Sequence, residues 1–206
     1  MRISGLADAS GVAVATIKFY LREGLLHPGV ATSATQATYD DSHVRRLRLI
    51  RALTGPVGLS VQQARAILAL VDDPGDDLYS TLGRAVGALP PSTAVAAAAD
   101  PDPYPRARAA LEALEQVYDP RFPAVAQLET ALAAAEDAGL PISPDRLLAY
   151  GRSLRELAAY DVERMPPEPR AAVEYTVLGT ALYEPVVLAL RRLAHQDVAA
   201  RLDLAP

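Results

Sequence analysis

The chain has 206 residues, half of them hydrophobic, with 20 basic and 25 acidic side chains and a formal net charge of −5. This length and composition allow one domain or two small ones with a buried core, and they exclude wholesale disorder. The sequence contains no cysteine, which excludes disulfide bonds, iron–sulfur clusters and thiolate metal sites.

The sequence carries no recognisable targeting segment. Residues 1–10 include Asp8 and lack an apolar core of the kind found in signal peptides. The longest stretch without Asp, Glu, Lys, Arg or His, 85–99, has 15 residues and contains Pro90 and Pro91, so it is too short and too interrupted to span a bilayer. We therefore expect a cytoplasmic protein with no membrane partner.

Charge is divided unevenly along the chain. Residues 1–70 carry eight basic and four acidic side chains, a net of +4, whereas residues 71–206 carry twelve and twenty-one, a net of −9. A basic head on an acidic body indicates a polyanionic partner, although chance unevenness on a solvated surface gives the same numbers. The nineteen arginines, the single lysine and the many alanines are typical of a high-GC, bacterial gene.

The first 71 residues divide into four helices and a hairpin-like loop. A short first helix ends at Gly11, and a second helix over 13–23 ends at Gly24. A helix, a glycine-containing turn and a second helix predict a helix-turn-helix, whose second helix enters the major groove of DNA. The polar run within 25–39 predicts a wing.

Two more helices complete this head. The third begins near Asp40–Ser42 and displays four arginines, and the fourth begins at a capping box formed by Ser60 and Gln63. His27 and His43 are expected at the surface of the loop and of the third helix. The arginines of the third helix are Arg45, Arg46, Arg48 and Arg51.

The remainder of the chain predicts further helices. An acidic break at 72–77 separates the head, and the prolines that follow it exclude a long coiled coil between head and C-terminal region. Dimerisation would therefore use either a helix near 76–89 or the last helices. Pro185 predicts a kink or break in the last one. The predicted helices after the connector cover 105–118, 123–138, 144–165 and 169–202.

The predicted fold is mainly all-α, with an N-terminal winged helix-turn-helix and a C-terminal helical bundle. The expected domains are a DNA-binding domain at 1–73, a Pro/Ala-rich connector at 74–103 and an effector-binding and dimerisation domain at 104–206.

The head resembles the MerR family of transcriptional regulators. The resemblance rests on segments that occur in the family's order: Ile3-x-x-Leu6-Ala7-x-x-x-Gly11-Val12, TIKFYLREGLL at 16–26, a wing ending at Tyr39-Asp40, HVRRLRLIRAL at 43–53 and GLSVQQARAIL at 58–68. It implies a homodimer that binds an inverted repeat in a promoter. It also implies that the bound dimer distorts the promoter spacer so that RNA polymerase can engage it.

The resemblance also implies DNA-contacting positions on the second helix, the wing and the third helix. This chain departs from the family pattern at Ala15, Phe19, Ala37 and Thr38, where basic residues, a tyrosine or the wing arginine are usual. Each phosphate contact that is lost lowers the salt dependence of binding by a slope of about 0.9. The implied positions are Thr16, Lys18, Phe19, Tyr20, Arg22, Thr35, Gln36, Tyr39, Arg45 and Arg46.

Aromatic residues on the last two long helices suggest an effector site. A kinked helix with tyrosines and a carboxylate could line a pocket for an aromatic or cationic small molecule. Tyrosines at helical spacing also commonly pack a core with their hydroxyl groups reaching water. The candidate effector residues are Tyr150, Tyr160, Tyr175, Tyr183 and Glu184.

The sequence favours a ligand-responsive DNA-binding regulator. The alternative is a small-molecule-binding or sequestering protein that retains a weakened DNA-binding head. No phosphate-binding glycine loop, nucleophile motif or metal constellation indicates an enzyme, a metal site or a cofactor.

Overall fold

The structure, a computed structural model, describes residues 1–33, 36–89 and 102–202. Its elements follow the predicted order, and the structure is helical apart from one short hairpin among these residues, which confirms the mainly all-α fold. In chain order they are α1 Ile3–Ser10, α2 Val14–Arg22, β1 Val30–Ser33, β2 Gln36–Thr38, α3 Asp41–Thr54, α4 Val61–Asp72, α5 Leu78–Gly87, α6 Pro105–Ala113, α7 Pro123–Asp137, α8 Pro144–Val162 and α9 Pro169–Arg201.

The head forms around apolar side chains at helical spacing. α1 packs on α2 and α3, and α3 packs on α4. Gly11 ends α1 in the left-handed conformation, with φ of 65°, and its N–H donates to the carbonyl of Ala7. This conformation favours glycine because it has no Cβ. The fully buried side chains of this core include Leu6, Ile17, Leu25, Leu26, Leu47, Ile50, Leu53, Ile67, Leu68 and Val71.

Side chains cap the third and fourth helices of the head. Ser60 Oγ accepts from the Gln63 N–H, and Gln63 Oε1 accepts from the Ser60 N–H, which confirms the predicted capping box of α4. Asp40 caps α3 by accepting from the Ser42 N–H at 2.9 Å. These caps fix where each helix begins.

The wing is an antiparallel hairpin. β1 pairs with β2 in a register that places Val30 opposite Thr38 and Ala31 opposite Ala37, with an irregularity before Ser33. Gly29 lies at its base, where a Cβ would come within 2.5 Å of the Thr38 carbonyl oxygen. A glycine at this position therefore permits the close approach of the two strands.

The described chain divides into two compact units. The first comprises Met1–Asp73 together with Val177 onward, and the second comprises Pro74–Thr176. In the second unit, α7 packs on α5 and α6, and Tyr104, Ala107, Val125 and Ala126 form a small core. The division between the units falls inside α9, where we expected no boundary. Within the predicted connector at 74–103 the structure contains α5, and residues 90–101 lie outside the described residues.

The last two helices are long and substantially exposed. Ser143 caps α8 by accepting from the Arg146 N–H, as its sequence predicts. α9 continues through Pro185 without the break that we considered. Ala172, Val173 and Val177 of α9 are buried, whereas the side chains from Tyr183 onward are mostly exposed.

α9 has one property that the sequence analysis did not consider. Among the described residues it is one helix that is long and apolar enough to cross a membrane, by length and composition only. The expectation drawn from the longest uncharged stretch did not identify this helix. Length and composition do not decide between a bilayer and a protein partner.

Candidate nucleic-acid interface

The second helix presents a polar face beside a buried one. Ile17 and Tyr20 point into the head, and Lys18 and Arg22 are exposed. Ile17 and Tyr20 hold one side of the helix against the core, so Lys18 and Arg22, on the other side, face outward. Burial of the Tyr20 ring was not expected, because sequence analysis placed it beside the exposed face.

Lys18 and Arg22 make no ion pair with any described residue. The Arg22 guanidinium lies 5.6 Å from the centre of the Phe19 ring, and Phe19 is half-buried beside Thr16. An arginine stacked on a ring keeps its hydrogen-bond donors available at the edge of the guanidinium plane. This face of α2 can therefore offer two cations to an anionic ligand.

The amino end of α2 adds backbone donors. Ala13 precedes the helix and cannot cap it with its side chain, and the first turn contains no acidic residue. The first N–H groups of a helix carry partial positive charge and favour phosphate. The amino end of α2 and the Lys18 side chain therefore both favour an anionic ligand.

Of the wing residues that were predicted to contact DNA, one is exposed and one is buried. Gln36 is exposed in β2. The Tyr39 ring is buried and lies edge-on to His43, with ring centres 5.1 Å apart, and its N–H donates to the Met1 carbonyl. Tyr39 therefore anchors the wing to the head, while Thr35 lies outside the described residues.

The two arginines of α3 that were predicted to contact DNA differ in exposure. Arg45 is exposed, whereas Arg46 is only 8% exposed. The Arg46 guanidinium donates to both carboxylate oxygens of Asp72, at 2.9 and 2.6 Å, and to the Leu25 carbonyl at 2.8 Å. These bonds occupy Arg46 within the head, so a DNA contact by this residue is a prediction that its geometry disfavours.

Two histidines lie against each other beneath the wing. The His27 and His43 rings are 4.0 Å apart at their centres, and His43 Nδ1 lies 2.8 Å from Asp40 Oδ1. Hydrogen bonds from Ser42 and His43 hold the pKa of Asp40 well below its usual range. The expectation of a surface His43 was wrong, because its side chain is buried and its Nε2 has no hydrogen-bond partner among the described residues.

Comparisons with known proteins agree with this geometry. Residues 1–70 match the family described as MerR HTH family regulatory protein. The regulator HmrR of Sinorhizobium medicae is 38% identical over 73 residues, 35% of this chain and 49% of HmrR. The regulator CueR of Vibrio cholerae is 32% identical over 85 residues, 41% of this chain and 60% of CueR.

A solved structure matches along the whole chain. It is the crystal structure of SCO5550 from Streptomyces coelicolor A3(2), a candidate transcriptional regulator, with 37% identity, a TM-score of 0.74 and coverage of 100% of this chain and 99% of that one. The chain belongs to the MerR family. It spans about half the length of the curated relatives it matches, so the family assignment rests on the head and on this structural match.

The predicted effector residues lie beyond the head, on the last two long helices. Tyr150, Tyr160 and Tyr183 are exposed on α8 and α9, and Tyr175 is half-buried. The Tyr160 ring is covered by the Arg164 guanidinium, 3.3 Å from its centre. No described contact brings these tyrosines together, and their role in effector binding stays a prediction.

The carboxyl group of Glu184, the remaining predicted effector residue, has a shifted pKa. Although this side chain is exposed, partial desolvation raises its pKa from the ordinary value.

A cavity of about 240 Å³ lies in the second unit and is lined by Leu114, Gly151, Arg152 and Arg155, among others. The cavity includes none of the predicted tyrosines, and its two arginines were not found from sequence because nothing in their spacing marks them.

Proposed function

We propose that this MerR family protein is a ligand-responsive transcriptional regulator that binds a promoter inverted repeat as a cytoplasmic homodimer. The exposed, unpaired cations of α2, Lys18 and Arg22, carry the proposal. They lie on the helix that enters the major groove in helix-turn-helix proteins. Thr16, Gln36 and Arg45 are the further exposed or half-buried candidates for contacts to DNA.

The proposed mechanism uses binding energy to deform DNA. Contacts from two heads to the two halves of the repeat bend and untwist the spacer, and RNA polymerase then engages the distorted promoter. Bending a short site costs about 1–6 kcal/mol, which several phosphate contacts can supply. The relatives whose names refer to heavy metals match only in the head, and this chain has no cysteine for a thiolate site.

The proposal is tested by binding of the full chain to the DNA upstream of its own gene, titrated at several salt concentrations. We expect a salt-sensitive complex, and Lys18→Ala and Arg22→Ala should each lower the salt slope by about 0.9. Arg121→Ala is the matched control, because Arg121 is an exposed arginine of the second unit, paired with Asp119. Absence of a salt-sensitive complex at low ionic strength would refute the proposal.

A second candidate function is small-molecule sequestration by a protein with a weakened head. The observation that favours it is the loss of usual contact groups at Ala15, Phe19, Ala37 and Thr38. This candidate predicts calorimetric binding of an aromatic cation, such as tetraphenylphosphonium, by a chain that forms no salt-sensitive DNA complex. Binding of both DNA and the cation would favour the regulator.

A further inference from the structure

The cavity of the second unit lies between the end of α6 and one face of α8. Its α8 residues are three, one and three positions apart, a spacing that places them on the same side of a helix. Such a face is usually apolar where it meets another element, but here it carries two guanidinium groups. The lining consists of residues 113–115 with Leu148, Gly151, Arg152 and Arg155.

Gly151 allows α8 to approach the end of α6 closely. This glycine is buried, and a Cβ on it would lie 2.2 Å from Cδ2 and 3.1 Å from Cδ1 of Leu114. A residue without a side chain permits this contact. The two arginines that follow Gly151 on this face of α8 are therefore held beside the last turn of α6.

Arg155 is fixed by the end of α6. Its Nη2 donates to the Leu114 carbonyl at 2.9 Å and to the Glu115 carbonyl at 3.3 Å. The last carbonyl groups of a helix lack partners within it and carry partial negative charge, so a guanidinium group stabilises them. Within the described part of the chain these are the partners of Arg155, and its Nε and Nη1 stay available to a ligand.

Arg152 lies one turn before Arg155 and makes no hydrogen bond or ion pair with any described residue. An exposed arginine is ordinarily just solvated, as on most protein surfaces. Arg152 differs because it lines a cavity next to a second arginine whose position is fixed. The planar fork of a guanidinium group matches the two oxygens of a carboxylate.

Glu115 adds a negative charge at the position where α6 ends. Its φ of 54° is left-handed, and the next residue, Gln116, donates its N–H to the Leu111 carbonyl at 2.9 Å. Glycine is usual at this position of a helix end. With Arg152 and Arg155, Glu115 leaves the lining a net charge of +1, which suits a ligand with one negative charge.

Leu114 and Leu148 give the cavity an apolar wall. Both side chains are half-buried. The cavity volume of about 240 Å³ corresponds to roughly eight water molecules at about 30 Å³ each, which is room for a ligand of about ten non-hydrogen atoms. An inorganic anion would leave the two leucines uncovered, whereas a ligand with a hydrocarbon part would cover them.

We propose that this cavity binds a small apolar monocarboxylate and is the effector site of the regulator. Arg152 donates two parallel hydrogen bonds to the carboxylate, Arg155 donates from its remaining nitrogens, and the leucines contact the hydrocarbon part. Binding of the ligand stands by itself, whereas its role as an effector rests on the proposed function. The site differs from the predicted tyrosine site in its place on the chain and in the charge of its ligand.

Ligand binding is tested with phenylacetate, an aromatic monocarboxylate of suitable size, by saturation-transfer NMR and calorimetry on the full chain. We expect a dissociation constant on the order of 1 mM, since the ligand is small and the site is open. Phenylacetamide, which has the same shape without the charge, and inorganic phosphate should each bind at least about tenfold more weakly. Equal binding of phosphate, or no binding of phenylacetate, would overturn the proposal.

Substitution of Arg152 locates the site. Arg152→Gln should weaken phenylacetate binding about 10-fold to 100-fold, as expected for the loss of hydrogen bonds to a charged group. Arg152→Lys should recover only part of the affinity, because lysine keeps the charge but not the planar fork. Arg146→Gln is the matched control, since Arg146 is an exposed arginine of the same helix outside the cavity. Unchanged binding by Arg152→Gln would overturn the proposal.

The effector role is tested by the affinity of the full chain for the DNA upstream of its own gene, with and without saturating phenylacetate. We expect at least about a fivefold change, absent from Arg152→Gln. A wild type that binds phenylacetate with no change in DNA affinity would overturn the effector role. A chain that binds phenylacetate through Arg152 but forms no DNA complex would instead refute the proposed function and leave the binding site standing.

Discussion

Arg46 in the second turn of α3 and Asp72, the last residue of α4, are joined by an ion pair with two parallel hydrogen bonds. Both terminal nitrogens of the guanidinium donate to the carboxylate, and Nε donates to the Leu25 carbonyl. Two parallel charge-assisted bonds fix orientation as well as distance. This pair therefore ties together three segments of the head that are far apart in sequence.

Removal of the carboxylate should destabilise the head. Asp72→Ala leaves the buried Arg46 charge without its partner, and we expect a loss of about 1–3 kcal/mol in the free energy of unfolding. The loss is smaller than for a fully buried pair because the Asp72 side chain is 45% exposed. Urea titration measures it, with Asp8→Ala, an exposed change on α1, as the control within about 0.5 kcal/mol. Equal effects of the two variants would contradict the role of the pair.

The contrast between Arg45 and Arg46 shows where sequence analysis stops. Helix caps depend on residues a few positions apart, so Ser60 with Gln63 and Ser143 could be identified from the sequence. The partner of Arg46 is 26 residues away, and only the packing of α3 against α4 brings it close. Local patterns find where helices begin but do not decide which of several arginines is buried.

The same limit applies to the histidines and to α9. His43 lies in the first turn of α3, where the sequence alone suggests a polar, exposed side chain. In the folded chain the rings of His27 and Tyr39 cover it. Apolar residues of α9 such as Leu190 and Leu193 were visible in the sequence, but an exposed apolar face and a core-packed one look identical there. Exposure in the folded chain is the property that separates them.

Restoring the missing wing arginine should strengthen DNA binding. Ala37 occupies the position where the family pattern usually has arginine, and it lies in β2 opposite Ala31. Ala37→Arg should raise affinity at low salt and steepen the salt slope by about 0.9, as expected for one more phosphate contact. Val117→Arg adds the same charge at an exposed position of the second unit and should leave the slope unchanged. Fluorescence anisotropy with labelled DNA measures both, and equal slopes would argue against a wing contact.

The histidine pair should make the head less stable in mild acid. Burial, together with the neighbouring His43 and Arg46, lowers the pKa of His27 from its ordinary value, against the opposing effect of Asp40 and Asp72. The unfolded chain then binds more protons than the folded one below pH of about 6.5, so stability falls as the pH falls through this range. The lowered pKa of Asp40 acts only at more acidic pH, where that carboxyl begins to take up a proton.

Hydrogen exchange of the α3 amides measures this pH dependence in the full chain. Protection should decrease from pH 7.5 to 5.5 after correction for intrinsic exchange, and His27→Gln should remove part of the decrease. His195→Gln is the control, because His195 is exposed on α9. If His27→Gln left the decrease unchanged, the pH dependence would have to arise elsewhere.

The glycine at the base of the wing should tolerate no side chain. A Cβ on Gly29 would lie 2.5 Å from the Thr38 carbonyl oxygen and 2.9 Å from the Tyr39 ring, so one of the two strand ends must move. Gly29→Ala should cost about 1–3 kcal/mol of stability and should lower DNA affinity by displacing Gln36. Gly5→Ala provides the contrast, since its Cβ would meet only the Met1 side chain at 3.4 Å and alanine is favoured inside a helix by up to about 1 kcal/mol. The midpoint temperature of thermal unfolding should therefore be lower for Gly29→Ala than for the wild type, and equal or higher for Gly5→Ala. The reverse order would contradict the close approach of the two strands at the base of the wing.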